Sequence, residues 1–263
     1  DNGETDAAYE GIFPLLQDGL KTTSWCTTLF LLASTYDQDM HANPNNPKAT
    51  NGTDQAWGGN RARPDLVKKF FPNGNVPNLE SYATAEAAGD DRALFCGVNR
   101  TLDNEDVSTF KSGFAVAKFT NFKTDGSAGH DATFPDADFF LMRAAEAYLN
   151  FAEADARLNG GETTAEGTAA INAIRKRANA TTREDKSYSL NDICDEWSRE
   201  FYFEGRRRMD LIRFNRYGGN VNYNWQWKGG TKEGRNFSKD LNIFAIPTNE
   251  LTSNKNLTQN PGY

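Results

Sequence analysis

The chain has 263 residues, with 29 Lys and Arg against 36 Asp and Glu and a net charge of −7. That acidity argues against a non-specific nucleic-acid or anionic-membrane surface. The length is enough for a sizeable core in one large or two smaller domains. No stretch approaches the ~20 apolar residues of a membrane span, and there is no signal-peptide pattern. The opening Asp-Asn-Gly-Glu-Thr lacks an initial Met, so the chain is expected to be cut from something larger.

Taken in order, Tyr9 to Leu16 has extended character, punctuated by Gly11 and Pro14. Trp25 to Tyr36 is apolar and Thr-rich and suits a strand or a short helix. Asp37 to Arg63 is polar, with Pro, Asn and Gly throughout, and reads as a long irregular loop. Loops of that length are functional or disordered. Pro64 fits the first turn of a helix running through Leu66, Val67, Phe70 and Phe71. Pro72 to Asp91 is loop-like apart from the Ala-rich Tyr82 to Ala88. Leu94 to Val98 and Gly113 to Phe119 read as strands.

From Pro135 the pattern becomes helical. Asp138 is the expected N-cap of a helix over Phe139 to Leu158, with Met142, Ala145, Leu149, Ala152 and Ala156 on one stripe. Asn159-Gly160-Gly161 ends it. Thr163 and Glu166 have capping-box spacing. The next helix points Ala170, Ile171, Ile174 and Ala178 inward, and Arg175, Lys176 and Arg177 mostly outward. The pair spans about one tetratricopeptide unit of ~34 residues. Ser189 and Asp192 open another helix. Tyr217 to Arg235 reads as a hairpin or an aromatic loop, Leu241 to Ile246 as an extended run, and Thr248 as the cap of a short turn.

Cys26, Cys96 and Cys194 lie far apart, with no C-x-x-C, so neither a zinc site nor a disulfide framework is signalled, although one disulfide is possible. His41 and His130 fall in no metal-binding spacing. Asp37 and Asp39, with Asn43 and Asn45, offer a weak calcium pattern that has neither EF-hand spacing nor a closing Glu. Five Asn-x-Ser/Thr sequences occur, Asn51-Gly-Thr among them, and carry no functional weight.

The stretch from Glu196 to Phe214 is dense in charge and aromatic surface. Ile193, Trp197 and Phe201 share one helix face, continued by Gly205, Met209 and Ile212. Glu200, Glu204 and Arg208 lie on a second stripe, and Arg206, Asp210 and Arg213 are spaced for ion pairs. Glu200, Glu204 and Asp210 could be read as an active site. A scaffold helix is the better reading, because a carboxylate paired with arginine is held ionised and is a poor general acid.

Four passages resemble the SusD/RagB family, the glycan-binding outer-membrane lipoproteins of Bacteroidetes. They are Phe140-Leu-Met-Arg-Ala-Ala-Glu-Ala-Tyr-Leu-Asn-Phe-Ala-Glu-Ala154, Ala170-Ile-Asn-Ala-Ile-Arg-Lys-Arg-Ala178, Trp197 to Arg213, and Phe244-Ala-Ile-Pro with the ending Asn256-Leu-Thr-Gln-Asn-Pro-Gly-Tyr263. The Glu196-Trp197 pair departs from the family's common Glu-Arg. The resemblance implies a mostly α fold, a tetratricopeptide-like helical layer with long loops and a few short strands. Family members are about twice as long, so the chain corresponds to the C-terminal half. The other half is expected to hold the signal peptide, the lipidated cysteine and further helices. Residues 1–134 are expected to form a loop-rich segment with ligand-side loops. Residues 135–263 are expected to form the helical segment and tail, and the two together one compact unit.

The resemblance also implies non-catalytic capture of an oligosaccharide at the outer-membrane surface, for delivery to a SusC-like TonB-dependent transporter. No catalytic residue, metal or cofactor is expected. A sugar's C–H face stacks on exposed Trp or Tyr, while neighbouring polar side chains bond its hydroxyls. Trp57, beside Asn60 and Arg61 at the end of the polar loop, is the first candidate. Tyr36, Asp37 and Asp39 at its start come next. Trp25, inside an apolar run, is assigned to the core, and Trp225 and Trp227 lie in a second Gly-flanked loop. The alternatives are a peptide-binding or structural partner of such a transporter, and a glycoside hydrolase. The last needs two carboxylates ~5–10 Å apart across a cleft, and no spacing here points to such a pair.

Overall fold

The computed structural model describes residues 10–41, 50–123 and 125–263. The chain divides into two compact units, one ending at Glu200 and the other running from Phe201 to Tyr263. The sequence-based division lies instead at 134/135.

In the first unit, strand β1 (Gly11–Leu15) pairs antiparallel with β4 (Phe139–Arg143). Two short strands, β2 (Phe95–Cys96) and β3 (Ala115–Val116), form a second antiparallel pair. The helices are α1 (Thr27–Ser34), α2 (Gln38–His41), α3 (Pro64–Val67), α4 (Ser81–Ala88), α5 (Ala144–Leu158), α6 (Ala165–Arg177) and α7 (Leu190–Phe201). A 3-10 turn, Lys68–Phe70, extends α3. The protein is mostly helical, with few short strands.

The apolar run after Trp25 is helical. Leu29, Leu32 and Ala33 of α1 are fully buried. Pro64 opens α3 as expected, because an N1 residue needs no amide donor. At the opening of α7, Ser189 Oγ and Asp192 exchange hydrogen bonds, which is the reciprocal cap its spacing predicts.

Two expected helix starts are displaced. Phe139 to Arg143 is strand rather than helix, because its backbone is taken by β1, with Leu15 opposite Phe139 and Gly11 opposite Arg143. The helix begins only at Ala144, and Asp138 accepts the amide of Gln17 instead of capping it. Met142, assigned to the buried stripe, is exposed. At α6, Thr163 Oγ1 bonds Thr168 Oγ1, so the Thr163–Glu166 box does not form. The start is fixed by Asp155, which accepts the amide and the hydroxyl of Thr164.

Helices α5 and α6 pack against each other through small residues. Ala145, Leu149, Ala152 and Ala156 are buried, as are Ala170, Ile171 and Ile174. Trp197 is fully buried, and its indole donates to Glu153 at 3.0 Å. The departure from the family pattern at Trp197 is therefore a core residue with a satisfied donor.

Behind this layer sits a buried ion network. Glu200 accepts from Arg143 at 2.5 Å, Arg177 at 2.5 Å and Arg92 at 2.9 Å. Glu196 accepts from Arg92, Arg175 and Arg199 at 2.7–2.8 Å. Arg175 and Arg177, expected to point outward, turn back to these carboxylates. Arg175 is largely buried by this, whereas Lys176 and Arg177 keep exposed side chains. The arginines outweigh the burial of both glutamates. They hold Glu196 down at about 2 and Glu200 well below the usual carboxylate range.

In the second unit, the charged stretch does not continue as one helix. Phe203 and Gly205 adopt left-handed φ of 62° and 77°, and α8 (Arg207–Arg213) starts afresh. Gly205 is needed for that turn, not for a close crossing, since a Cβ there would meet nothing within 4 Å. Met209 is exposed. Asp210 is buried beside Arg213 at 2.9 Å and Arg206 at 3.5 Å. The rest of this unit is an aromatic loop with 3-10 turns at Lys228–Gly230 and Lys239–Asn242, followed by α9 (Thr248–Ser253). The apolar run after Leu241 leaves Ile243 and Phe244 exposed. All three cysteines are free, so the possible disulfide is not formed.

Candidate functional site

The loop of residues 51–60 is built around a buried amide. Asn51 is fully buried. Its Nδ2 donates to the carbonyls of Leu32 and Gln55, both at 3.0 Å. Its Oδ1 accepts the amide and the hydroxyl of Thr53, also at 3.0 Å. All four hydrogen-bonding positions of the side chain are used. The loop then runs along the C-terminal end of α1. Trp57 N bonds Ala33 O, Gly58 N bonds Tyr36 O and Asn60 N bonds Ser34 O, at 2.7–2.9 Å. These carbonyls include those a helix end leaves without intrahelical donors. A long polar loop thereby becomes a fixed shelf.

Trp57 projects from this shelf with 44% of its surface exposed. Trp25 stands beside it, 58% exposed, with ring centroids 6.4 Å apart and planes tilted by 32°. Phe134 supports Trp25 edge-on at 5.3 Å. Trp25 is thus not a core residue. It precedes α1 instead of belonging to its buried stripe, and the apolar run it opens begins to be buried only at Thr28. Thr27, two residues on, has φ of 61°. A β-branched residue in the left-handed region is strained, and such strain is held where the surrounding structure over-determines it.

The polar candidates behave differently. Tyr36 is 2% exposed and packs with Met40, Cys96 and Ala115. Burial pushes its phenol far above the ordinary range, and it presents no face to a ligand. Asp37 is used internally. Its Oδ1 accepts the amide of Met40 in α2, and its Oδ2 accepts from Arg100 at 2.6 Å and Lys111 at 3.0 Å. Asp39 is exposed and also bonded to Lys111. With Lys111 shared by both carboxylates and Arg100 on Asp37, the two negative charges of the calcium pattern already face two cations, and Asn43 and Asn45 lie outside the described residues. Asn60 donates to Ser34 Oγ at 2.8 Å, and Arg61 to the carbonyl of Gly59 at 3.0 Å. Desolvation and the nearby Arg100 lower the pKa of Arg61. Of the six sequence candidates, Trp57 therefore has an open apolar face. Asn60 and Asp37 brace the shelf, and Arg61 and Asp39 keep partial access to solvent.

The remaining tryptophans are less open. Trp225 is stacked on Tyr217 at 6.0 Å and 18°, with the ammonium of Lys228 at 4.7 Å from its ring. Lys228 is itself buried and donates to the carbonyls of Asn220 and Tyr223. Trp227 is half-buried.

Comparison with known proteins gives these features a setting. Residues 88–263 match the SusD family. The whole chain aligns at 37% identity over 295 residues with the starch-binding protein SusD of Bacteroides thetaiotaomicron, covering 51% of that protein. Among solved structures, surface glycan-binding protein A from Bacteroides thetaiotaomicron superposes with a TM-score of 0.58 at 22% identity, over 96% of this chain and 52% of that one. A laminarin-binding SusD-like protein does so with a TM-score of 0.58 at 22% identity, over 97% and 50%. The chain spans about half the length of these relatives. It belongs to the SusD family.

Proposed function

We propose that the Trp25–Trp57 platform captures an oligosaccharide without altering it. The reading holds that capture takes place at the bacterial outer-membrane surface and that the glycan passes to a SusC-like TonB-dependent transporter. The observation that carries it is a pair of exposed indoles side by side on a shelf fixed by buried hydrogen bonds. Apolar ring faces in water suit the C–H face of a pyranose, and a fixed shelf lowers the ordering cost of binding. The relatives support the ligand class, since they include a starch-binding protein and a surface glycan-binding protein in complex with laminarihexaose. The buried ion network counts against the catalytic reading at one point. Glu200, one of the carboxylates a catalytic reading would use, is held ionised by its arginines and is a poor proton donor at neutral pH.

Calorimetry of the full chain against maltoheptaose, laminarihexaose and a wider glycan panel tests the reading. Trp25→Ala and Trp57→Ala are each expected to weaken binding by roughly tenfold or more, as for a buried aromatic anchor. Unchanged affinity in both variants would sink the site, and release of shorter products from any glycan would sink the non-catalytic reading.

A further inference from the structure

Trp57 reaches from its shelf into solvent, yet its ring is not left to rotate. Its Nε1–H donates to Gln55 Oε1 at 2.9 Å. Gln55 Nε2 donates in turn to Asp54 Oδ1 at 2.8 Å. The Asp54 carboxylate also accepts the hydroxyl of Thr133, 3.1 Å from each oxygen. The backbone repeats the link, with Asp54 N donating to Ala132 O at 2.7 Å. Thr133 adjoins Phe134, the ring that supports Trp25. One aspartate thus joins the loop carrying Trp57 to the loop bracing Trp25.

The hydrogen assignment in this relay is self-consistent. An indole can only donate, and an ionised carboxylate can only accept. The amide between them must therefore turn its oxygen to Trp57 and its nitrogen to Asp54. Reversing it would break both bonds at once. An indole on a loop otherwise samples several χ1 and χ2 wells, and selecting one of them is part of the cost of binding.

We propose that Asp54 and Gln55 are positioning residues of the platform, acting on the glycan through the orientation of Trp57. This rests on the platform reading above. Neither side chain needs to touch sugar. Asp54 sets the Gln55 amide, Gln55 sets the indole, and the Asp54–Thr133 bond keeps the two indole-bearing regions in register.

The test has a ligand-free arm and a binding arm, both on the full chain. In the free protein, the Trp57 indole N–H resonance, assigned by its loss in Trp57→Phe, is followed in Gln55→Ala and Asp54→Ala. It is expected to shift and to exchange faster with solvent in both. In the binding arm, each alanine variant is expected to bind maltoheptaose or laminarihexaose roughly threefold to tenfold more weakly, the worth of one hydrogen bond. Asp54→Asn keeps an acceptor oxygen and is expected to recover most of that loss. In a Trp57→Phe background, which lacks the indole donor, Gln55→Ala is expected to cost nothing further. An unmoved indole resonance would overturn the proposal, as would an equal loss in the Trp57→Phe background. If the unaltered chain binds neither sugar, the platform reading fails, while the indole resonance still decides whether the relay orients Trp57.

Discussion

Replacing Glu200 by Gln keeps the shape of the side chain and removes its charge. The cost can be worked from its three partners. Arg143 is almost fully buried, with its side chain 9% exposed, but it keeps Glu10 and the backbone carbonyl of Glu200. Arg92 keeps Asp90 and Glu196. Arg177 is 42% exposed and can turn to water. Breaking a buried pair costs ~3–5 kcal/mol when the remaining charge is stranded. Here only Arg143 is both buried and deprived of its shortest contact, so the lower end, about 3 kcal/mol, is expected. Urea denaturation at pH 7 measures it. The same experiment at lower pH carries a second signature. Glu196 and Glu200 have folded pKa values below the ordinary glutamate value of 4.5. Their stabilisation is therefore complete above that value and is lost as pH falls through about 2, where Glu196 takes its proton. Glu200→Gln removes one of these groups, so the loss of stability on acidification should be smaller than in the unaltered chain. A cost below about 1 kcal/mol at pH 7, the range of an exposed surface pair, would refute the reasoning.

Asn51→Ala should destabilise the chain by about 2–3 kcal/mol, because it strands buried donors and acceptors in the loop under Trp57. A denaturation midpoint within error of the original would contradict the role given to that amide. Thr27→Gly should raise stability by about 0.5–1 kcal/mol by relieving its left-handed backbone, read from the same midpoint. A fall would mean that the strain is not relieved by removing the side chain. Trp197→Phe should cost about 1–3 kcal/mol, since it leaves a gap and strips the buried Glu153 of the indole donor. Paired unfolding curves would show this, and a neutral result would remove Trp197 from the core argument.

Much of the helical layer was legible in the chain. The alanine stripe of α5, the inward face of α6 and the Ser189–Asp192 cap follow from local periodicity and short-range chemistry. Phe139 to Arg143 did not, because a helical pattern there yields to pairing with β1, a partner far away in sequence. The break at Phe203 to Gly205 was hidden by charges that keep helical spacing on both sides of it. At the site, Trp57 was legible as a tryptophan closing a polar loop. Trp25 reads as core from the sequence because the run it opens is apolar from Leu29 to Ala33, although its position just before the helix start decides its exposure. Tyr36 and Asp37 carry the residue types of a sugar site but are used for packing and capping. Asn51, Asp54 and Gln55 gave no signal beyond a polar loop. Asn51 was visible only as a glycosylation-like triplet, and its fully buried amide takes every available bond.

The sequence by itself determined the family and the helical scaffold, because short-range spacing of alanines, caps and paired charges is written locally. The tertiary structure decided which aromatic faces stand open to solvent side by side. Two tryptophans 32 residues apart in the chain lie 6.4 Å apart only because α1, the Asn51 loop and the Phe134 loop converge. Convergence of that kind depends on which distant groups satisfy one another's hydrogen bonds, and no local pattern encodes it.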